Sequence, residues 1–253
     1  MKLSARESGD AKGLPVVLLH AFPMSSAMWE PQLAALKRFR VLTPDLRGFG
    51  GTPLVAPWFI ENAVDDLLET LSAAGVERAA LVGLSMGGYV ALRAAQKAPE
   101  RVLALALCDT RAEADGNEAK LKRAAAVEFV RARGTASFVR PFLKDALAPG
   151  AEGSSAFEFL RGVAESAAPE SVMAALAALA ARADMTEVLP KIAVATCVLV
   201  GAHDKITPLS AAELLRSRIP GASLRVIPGA GHFSSAENPA AFNETLVSFL
   251  SGL

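Results

Sequence analysis

A serine hydroxyl attacks a carbonyl only when a base takes its proton, and the base works best when an acid fixes its tautomer. This chain offers a candidate for each role. Residues 81–88 read LVGLSMGG and contain G-x-S-x-G with Ser85 at its centre. The motif follows a predicted strand and opens a predicted helix, which would set Ser85 on a sharp turn with its hydroxyl clear of the sheet edge. Gly83 and Gly87 keep side chains out of that turn. The helix beginning near Met86 would aim unpaired N–H groups and the positive end of its dipole at the same place.

Only three histidines can supply the base. His20 follows a predicted strand in His20–Ala21–Phe22–Pro23. His203 directly precedes Asp204, and neighbours on an extended turn usually point apart, so it reads as a structural neighbour. His232 lies in Gly229–Ala230–Gly231–His232, a glycine-rich loop that lets a base swing between nucleophile and leaving group. His232 is therefore the expected base. Asp204, at the end of a predicted strand, is the first choice for the acid. Asp109 is its rival, with a turn or helix-cap role as the alternative.

Those residues need a scaffold. Near-continuous apolar runs at 16–19, 40–43, 80–83, 102–108, 197–201 and 224–227 read as strands covered on both faces. Helical patterns at 28–37, 60–74, 87–97, 210–218 and 239–250 alternate with them, the signature of βαβ units around a parallel sheet. Residues 111–187 break the alternation with Ala-rich helical pattern alone, in pieces at 117–133, 137–147, 154–165 and 169–182. We expect a core of residues 1–110 and 188–253 and a helical cap (a lid) of 111–187. In open α/β sheets ligands bind beyond the carboxyl ends of the strands, where such an insertion would shape a pocket.

The 253 residues are 52% hydrophobic with 26 basic and 26 acidic side chains, which excludes a disordered chain. Zero net charge argues against nucleic acid or an anionic membrane as the main partner. The first fifteen residues lack the apolar core of a secretion signal, and Cys108 and Cys197 read as small buried hydrophobes, so a cytoplasmic protein is expected. The histidines sit on separate loops, no C-x-x-C or H-E-x-x-H occurs, and no dinucleotide or P-loop fingerprint is present. No metal and no cofactor is expected.

The order Ser85, Asp204, His232 belongs to one fold. Five segments together make the chain resemble the α/β-hydrolase superfamily along nearly its whole length: His20–Pro23, Asp45–Gly50, Gly83–Gly88, Gly201–Asp204 and Gly229–His232. Met28–Trp29, Ser85–Gly88 and Cys108–Arg111 resemble the small carboxylesterase and 3-oxoadipate enol-lactonase branch. The resemblance implies Ser85 as nucleophile, His232 as base and then acid, and Asp204 as its orienting partner. It implies an oxyanion hole from the backbone N–H groups of Met86 and Phe22, with Ala21 standing where relatives often have glycine. Asp45 and Arg47 would be a structural turn and ion pair. Relatives usually open with two antiparallel strands, but only residues 2–7 are available, so one strand is expected to be missing.

The expected activity is hydrolysis of small carboxylic esters, with lactones of the enol-lactonase type as an alternative. Carbon–carbon bond hydrolysis, acyl transfer and perhydrolysis use the same residues; a non-catalytic receptor has no need of them. The expected partner is a small ester or lactone, and the chain a monomer or homodimer. A lactonase holding an acidic substrate needs a cation in its pocket, for which Arg133, Arg140 and Lys144 are candidates. Trp29 and Trp58 could line that pocket or simply be buried.

Overall fold

The computed structural model describes all residues from Met1 to Leu253. Seven strands form one sheet: β1 (Ala5–Gly9), β2 (Pro15–Leu19), β3 (Arg40–Pro44), β4 (Ala79–Leu84), β5 (Val102–Cys108), β6 (Ala195–Gly201) and β7 (Ser223–Ile227). Their order is β1-β3-β2-β4-β5-β6-β7, with β1 antiparallel to β3 and every other pair parallel. A single antiparallel strand opens the chain. Its residues are largely exposed, as suits an edge, whereas every residue of β4 is buried.

Alternate residues of the inner strands feed two cores. Val17, Leu19, Leu81, Leu105 and Leu107 pack on one face with α2 (Ile60–Ala73), α3 (Met86–Lys97) and α7 (Leu209–Arg218). Val16, Leu18, Val82, Leu84 and Ala106 pack on the other with the one-turn α1 (Glu30–Leu33) region and α9 (Pro239–Ser251). The period of two along a strand makes this division, and burial on both faces makes the runs uniformly apolar. Where a helix was expected over 28–37, a 3-10 turn (Ser26–Trp29) and α1 stand instead. The chain must reverse before Arg40, and Phe39 N–H closes a turn on Leu36 O.

Between β5 and β6 lie α4 (Asn117–Ala146), α5 (Ser155–Glu165) and α6 (Pro169–Ala181). Gly134, at φ 76, interrupts α4 where the sequence pattern changes phase, and Ser154 caps α5 by accepting the Phe157 N–H. After β7 comes the short α8 (Ser234–Glu237).

β2 runs on to β3 on one side, and β4 is added on its other side. That reversal leaves a crevice beyond the carboxyl ends of β2 and β4, the place where such sheets bind ligands. Phe22 and Ser85 follow those two ends.

Candidate active site

Ser85 follows β4 directly and stands at φ 52 and ψ −110, a conformation that costs a side-chain-bearing residue energy. The surroundings hold it there. Its N–H donates to Cys108 O at 2.9 Å, and its carbonyl accepts from the N–H of Gly88 and Tyr89 and from the Thr110 hydroxyl. A Cβ on Gly83 would lie 2.3 Å from Gly87 O, and one on Gly87 2.1 Å from Leu19 O. Both glycines are therefore required for α3 to begin this close to the sheet.

His232 reaches Ser85 from the loop between β7 and α8. Its Nε2 is 2.9 Å from Ser85 Oγ and its Nδ1 is 2.9 Å from Asp204 Oδ2. A carboxylate can only accept, so Nδ1 carries the proton and Nε2 is free to accept from the hydroxyl. All three residues are buried, with Ser85 retaining 8% exposure. Asp204, just past β6, is fixed by the N–H groups of Ile206 (2.8 Å) and Thr207 (2.9 Å) on Oδ1 and by the Thr207 hydroxyl (2.6 Å) on Oδ2. Burial alone would raise the Asp204 carboxyl. The adjacent His232 ring and the Thr207 bonds outweigh it and hold the group below the ordinary carboxylate value.

The rival acid is elsewhere. Asp109 Oδ1 accepts the Gly201 N–H at 2.8 Å and Oδ2 pairs with the Ser234 hydroxyl at 2.5 Å, so it ties β5 to β6 and α8 and has no bond to His232. It is neither a surface turn nor a helix cap, because it is fully buried at φ 44. Burial, and then repulsion from Asp204, pushes its carboxyl well up.

The other histidines separate cleanly. His203 is exposed and meets the site only through its backbone, donating to Ala230 O. His20 is fully buried; Nδ1 donates to Ala21 O and Nε2 accepts the Leu46 N–H, both at 2.9 Å. Desolvation lowers its basicity, so it is a neutral strut under the loop that carries Phe22. The Phe22 N–H has no protein acceptor, and Met86, as the first residue of α3, has none within the helix.

Nothing in the sequence pattern singles out Glu237. Its Oε1 accepts the N–H groups of Gly231 (2.9 Å) and Phe233 (3.2 Å), which flank His232, and its Oε2 accepts the Ala148 N–H at 2.7 Å. His232 N–H itself donates to Ala146 O at 2.8 Å. Burial raises the Glu237 carboxyl despite those three donors.

A model described as the alpha/beta hydrolase fold matches residues 15–239. The chain belongs to the α/β-hydrolase family. It is 28% identical to 3-oxoadipate enol-lactonase 1 of Acinetobacter baylyi, over 99% of this chain and 94% of that protein. It is 30% identical to the pimeloyl-[acyl-carrier protein] methyl ester esterase of Neisseria meningitidis, over 98% of each. The thermophilic esterase of Thermogutta terrifontis, solved with malate bound, superposes with a TM-score of 0.94 at 36% identity, over 99% of this chain and 93% of that one. These relatives place the hydrolase in the branch of small esterases and enol-lactonases.

The hydrolase has an open cleft of about 840 Å³ between α4, α6 and the strand ends. Three of its lining residues touch the site already described: Phe22; Tyr89, whose N–H bonds Ser85 O; and Ile206, whose N–H bonds Asp204. Phe138 and Phe142 of α4 stack at 5.6 Å and meet Phe22 edge-on at about 6 Å, giving the cleft an aromatic wall. The cations expected there are not these: Arg140 and Lys144 point outward to Glu152, and Arg133 is exposed just before the break at Gly134. Arg111, Lys122, Arg123 and Arg182 line it instead. Trp29 packs on Phe242 in the core and Trp58 donates to Arg47 O, so neither lines the cleft. Arg47 is paired with Asp66, while Asp45 orders its turn by accepting the N–H groups of Ser26 and Gly51.

No helix is by itself long and apolar enough to cross a membrane.

Proposed function

We propose that the chain is a serine hydrolase of small carboxylic esters, working through an acyl-enzyme. The observation that carries this is the continuous relay of Ser85 Oγ, His232 and Asp204 with two 2.9 Å links. Ser85 attacks the ester carbonyl while His232 Nε2 takes its proton; Asp204 holds the Nδ1–H tautomer and stabilises the imidazolium. The carbonyl oxygen, now an oxyanion, is received by the Met86 and Phe22 N–H groups, each donor typically worth about 3 kcal/mol. Collapse expels the alcohol, protonated by His232. Water then attacks the acyl-Ser85 by the same route, with His232 as base.

In this reading α4 to α6 act as a cap that holds the acyl or alkoxy group in the cleft. Kinship with an enol-lactonase supports a second substrate type, the lactone, for which the same steps open a ring and release no separate alcohol.

The test compares the protein with its Ser85→Ala variant on p-nitrophenyl acetate, butyrate and octanoate between about pH 6 and 9, the range in which a histidine base titrates. Turnover that disappears in the variant is the expected result. Equal turnover by both proteins would remove Ser85 from the chemistry.

A further inference from the structure

One ring from the inserted helices joins the two sides of the site. Phe142 of α4 meets Phe22 edge-on at 6.0 Å and 76°, and it meets Phe233 edge-on at 6.3 Å and 86°. Phe233 follows His232 in the chain and stands edge-on to its imidazole at 5.5 Å. Phe142 is thus the one ring in contact with both the residue that offers an oxyanion N–H and the neighbour of the base. Phe138 stacks on Phe142 and meets Phe22, but not Phe233.

Phe142 is well placed to hold both. It packs against the hydrophobic cores of both faces of the sheet. Its own stretch of α4 is anchored, because Val139, Leu143 and Ala146 are buried and Ala146 O takes the His232 N–H. The two oxyanion donors differ in their support. The Met86 N–H is placed by the start of α3, whereas Phe22 lies in a loop and its 6%-exposed ring packs on Phe138 and Phe142. Edge-to-face rings about 4.5–7 Å apart attract with a preferred angle, since a positive edge meets a negative face. An aliphatic side chain would fill the same space without fixing that angle.

We propose that Phe142 is a positioning residue for the acyl transfer: it holds the Phe22 oxyanion donor and the His232 loop at the spacing across which the carbonyl is attacked. The proposal rests on the acyl-enzyme reading above, since it names a further residue of the same site. Phe142 acts through Phe22 and Phe233 and adds no chemical step.

The experiment compares the wild type with Phe142→Leu, Phe142→Tyr and Phe138→Leu on p-nitrophenyl acetate and octanoate, far below each melting point. A displacement of about 1 Å at a reacting group can cost about a hundredfold, so Phe142→Leu should lower kcat on the acetate about ten- to a hundredfold. KM should move less than about threefold, the sign of an interaction lost in the transition state rather than in binding. Phe142→Tyr keeps the ring and should restore most of kcat, and Phe138→Leu should cost less than Phe142→Leu. An unchanged kcat in Phe142→Leu would overturn the proposal. So would a loss confined to KM that grows from acetate to octanoate, which marks a cleft wall alone, or an equal loss in Phe138→Leu, which leaves the Phe233 contact without effect.

A second readout needs no turnover. In a Ser85→Ala background the Nδ1 proton that His232 shares with Asp204 is followed by NMR as a downfield signal, whose width reports how well the loop is held. Should no ester be turned over by the wild type, the acyl-enzyme reading would fail by itself and this signal would decide the role of Phe142. Broadening by Phe142→Leu but not by Phe142→Tyr would uphold it, and an equally sharp signal in both would overturn it.

Discussion

Glu237 makes no contact with Ser85 or Asp204, yet it holds the backbone on both sides of His232. Its carboxylate collects the N–H groups on either side of His232 and a third from Ala148 at the end of α4. Glu237→Ala would strip acceptors from all three. Each such donor left unpaired costs about 1–3 kcal/mol, and the three bonds are only partly buried, so water limits the total to about 3 kcal/mol. At about 2–4 °C per kcal/mol for a chain of this size, the melting temperature should fall by about 6–12 °C. The loop carrying His232 would also loosen, and a displacement of about 1 Å at a reacting group can cost about a hundredfold in rate. Glu237 is absent from the cleft lining, so kcat should fall while KM moves little. Glu237→Gln keeps one oxygen for the Gly231 and Phe233 donors and should sit between the two. The assay is calorimetric melting, together with p-nitrophenyl butyrate kinetics normalised to active sites and run far below the melting point. A Glu237→Ala protein that melts with the wild type and keeps its kcat would refute the positioning role.

Asp109→Asn tests the buried carboxyl beside the site. The asparagine can still accept the Gly201 N–H and donate to the Ser234 hydroxyl, so the fold should persist. Because burial, aided by Asp204, raises the folded-state pKa of Asp109, the native protein binds this proton more tightly than the unfolded chain does. Its contribution to stability is complete below about pH 4, the unfolded carboxylate value, and is lost as pH rises toward the folded one. The variant should gain on the wild type in melting temperature as pH increases over that interval; a constant offset would contradict the sign. Gly87→Ala places a methyl group 2.1 Å from Leu19 O, a backbone atom that can yield only if α3 leaves β2. Overpacking of this kind costs about 3 kcal/mol or more, and an alanine variant melting within about 2 °C of the wild type would show that α3 can shift freely.

Six of the seven strands and the turn bearing Ser85 were legible because each depends on local pattern: uniformly apolar runs for covered strands, and two glycines around one serine. That Asp204 and His232 follow strand ends was legible for the same reason, and the structure brings both to Ser85. The pocket cations were not. Arg133, Arg140 and Lys144 fit the helical pattern of the insertion, but which way they point depends on the break at Gly134 and on Glu152, and neither effect is local. Arg111 stood in the sequence beside Cys108–Asp109–Thr110 and differs from the others in lacking a carboxylate, a property of space alone. Glu237 looks like an ordinary acid in a short helix, and nothing in its spacing from His232 marks it as an acceptor for the loop.

The clamp around His232 also bears on how the inserted helices can work. The end of α4 is a wall of the site: Ala146 O takes the His232 N–H, Ala148 N–H is held by Glu237, and a Cβ on Gly231 would lie 2.6 Å from Ala146 O. Swinging the second half of α4 away as a lid would therefore pull on the base. The first half, before Gly134, carries no such bonds to the His232 loop, yet it contributes Lys122, Arg123 and Phe129 to the cleft. A bend that leaves the His232 loop in place would have to fall at Gly134, with Phe138 and Phe142 staying packed on Phe22. The half of α4 after Gly134 is thus tied to the His232 loop, and the half before it carries cleft residues without such bonds.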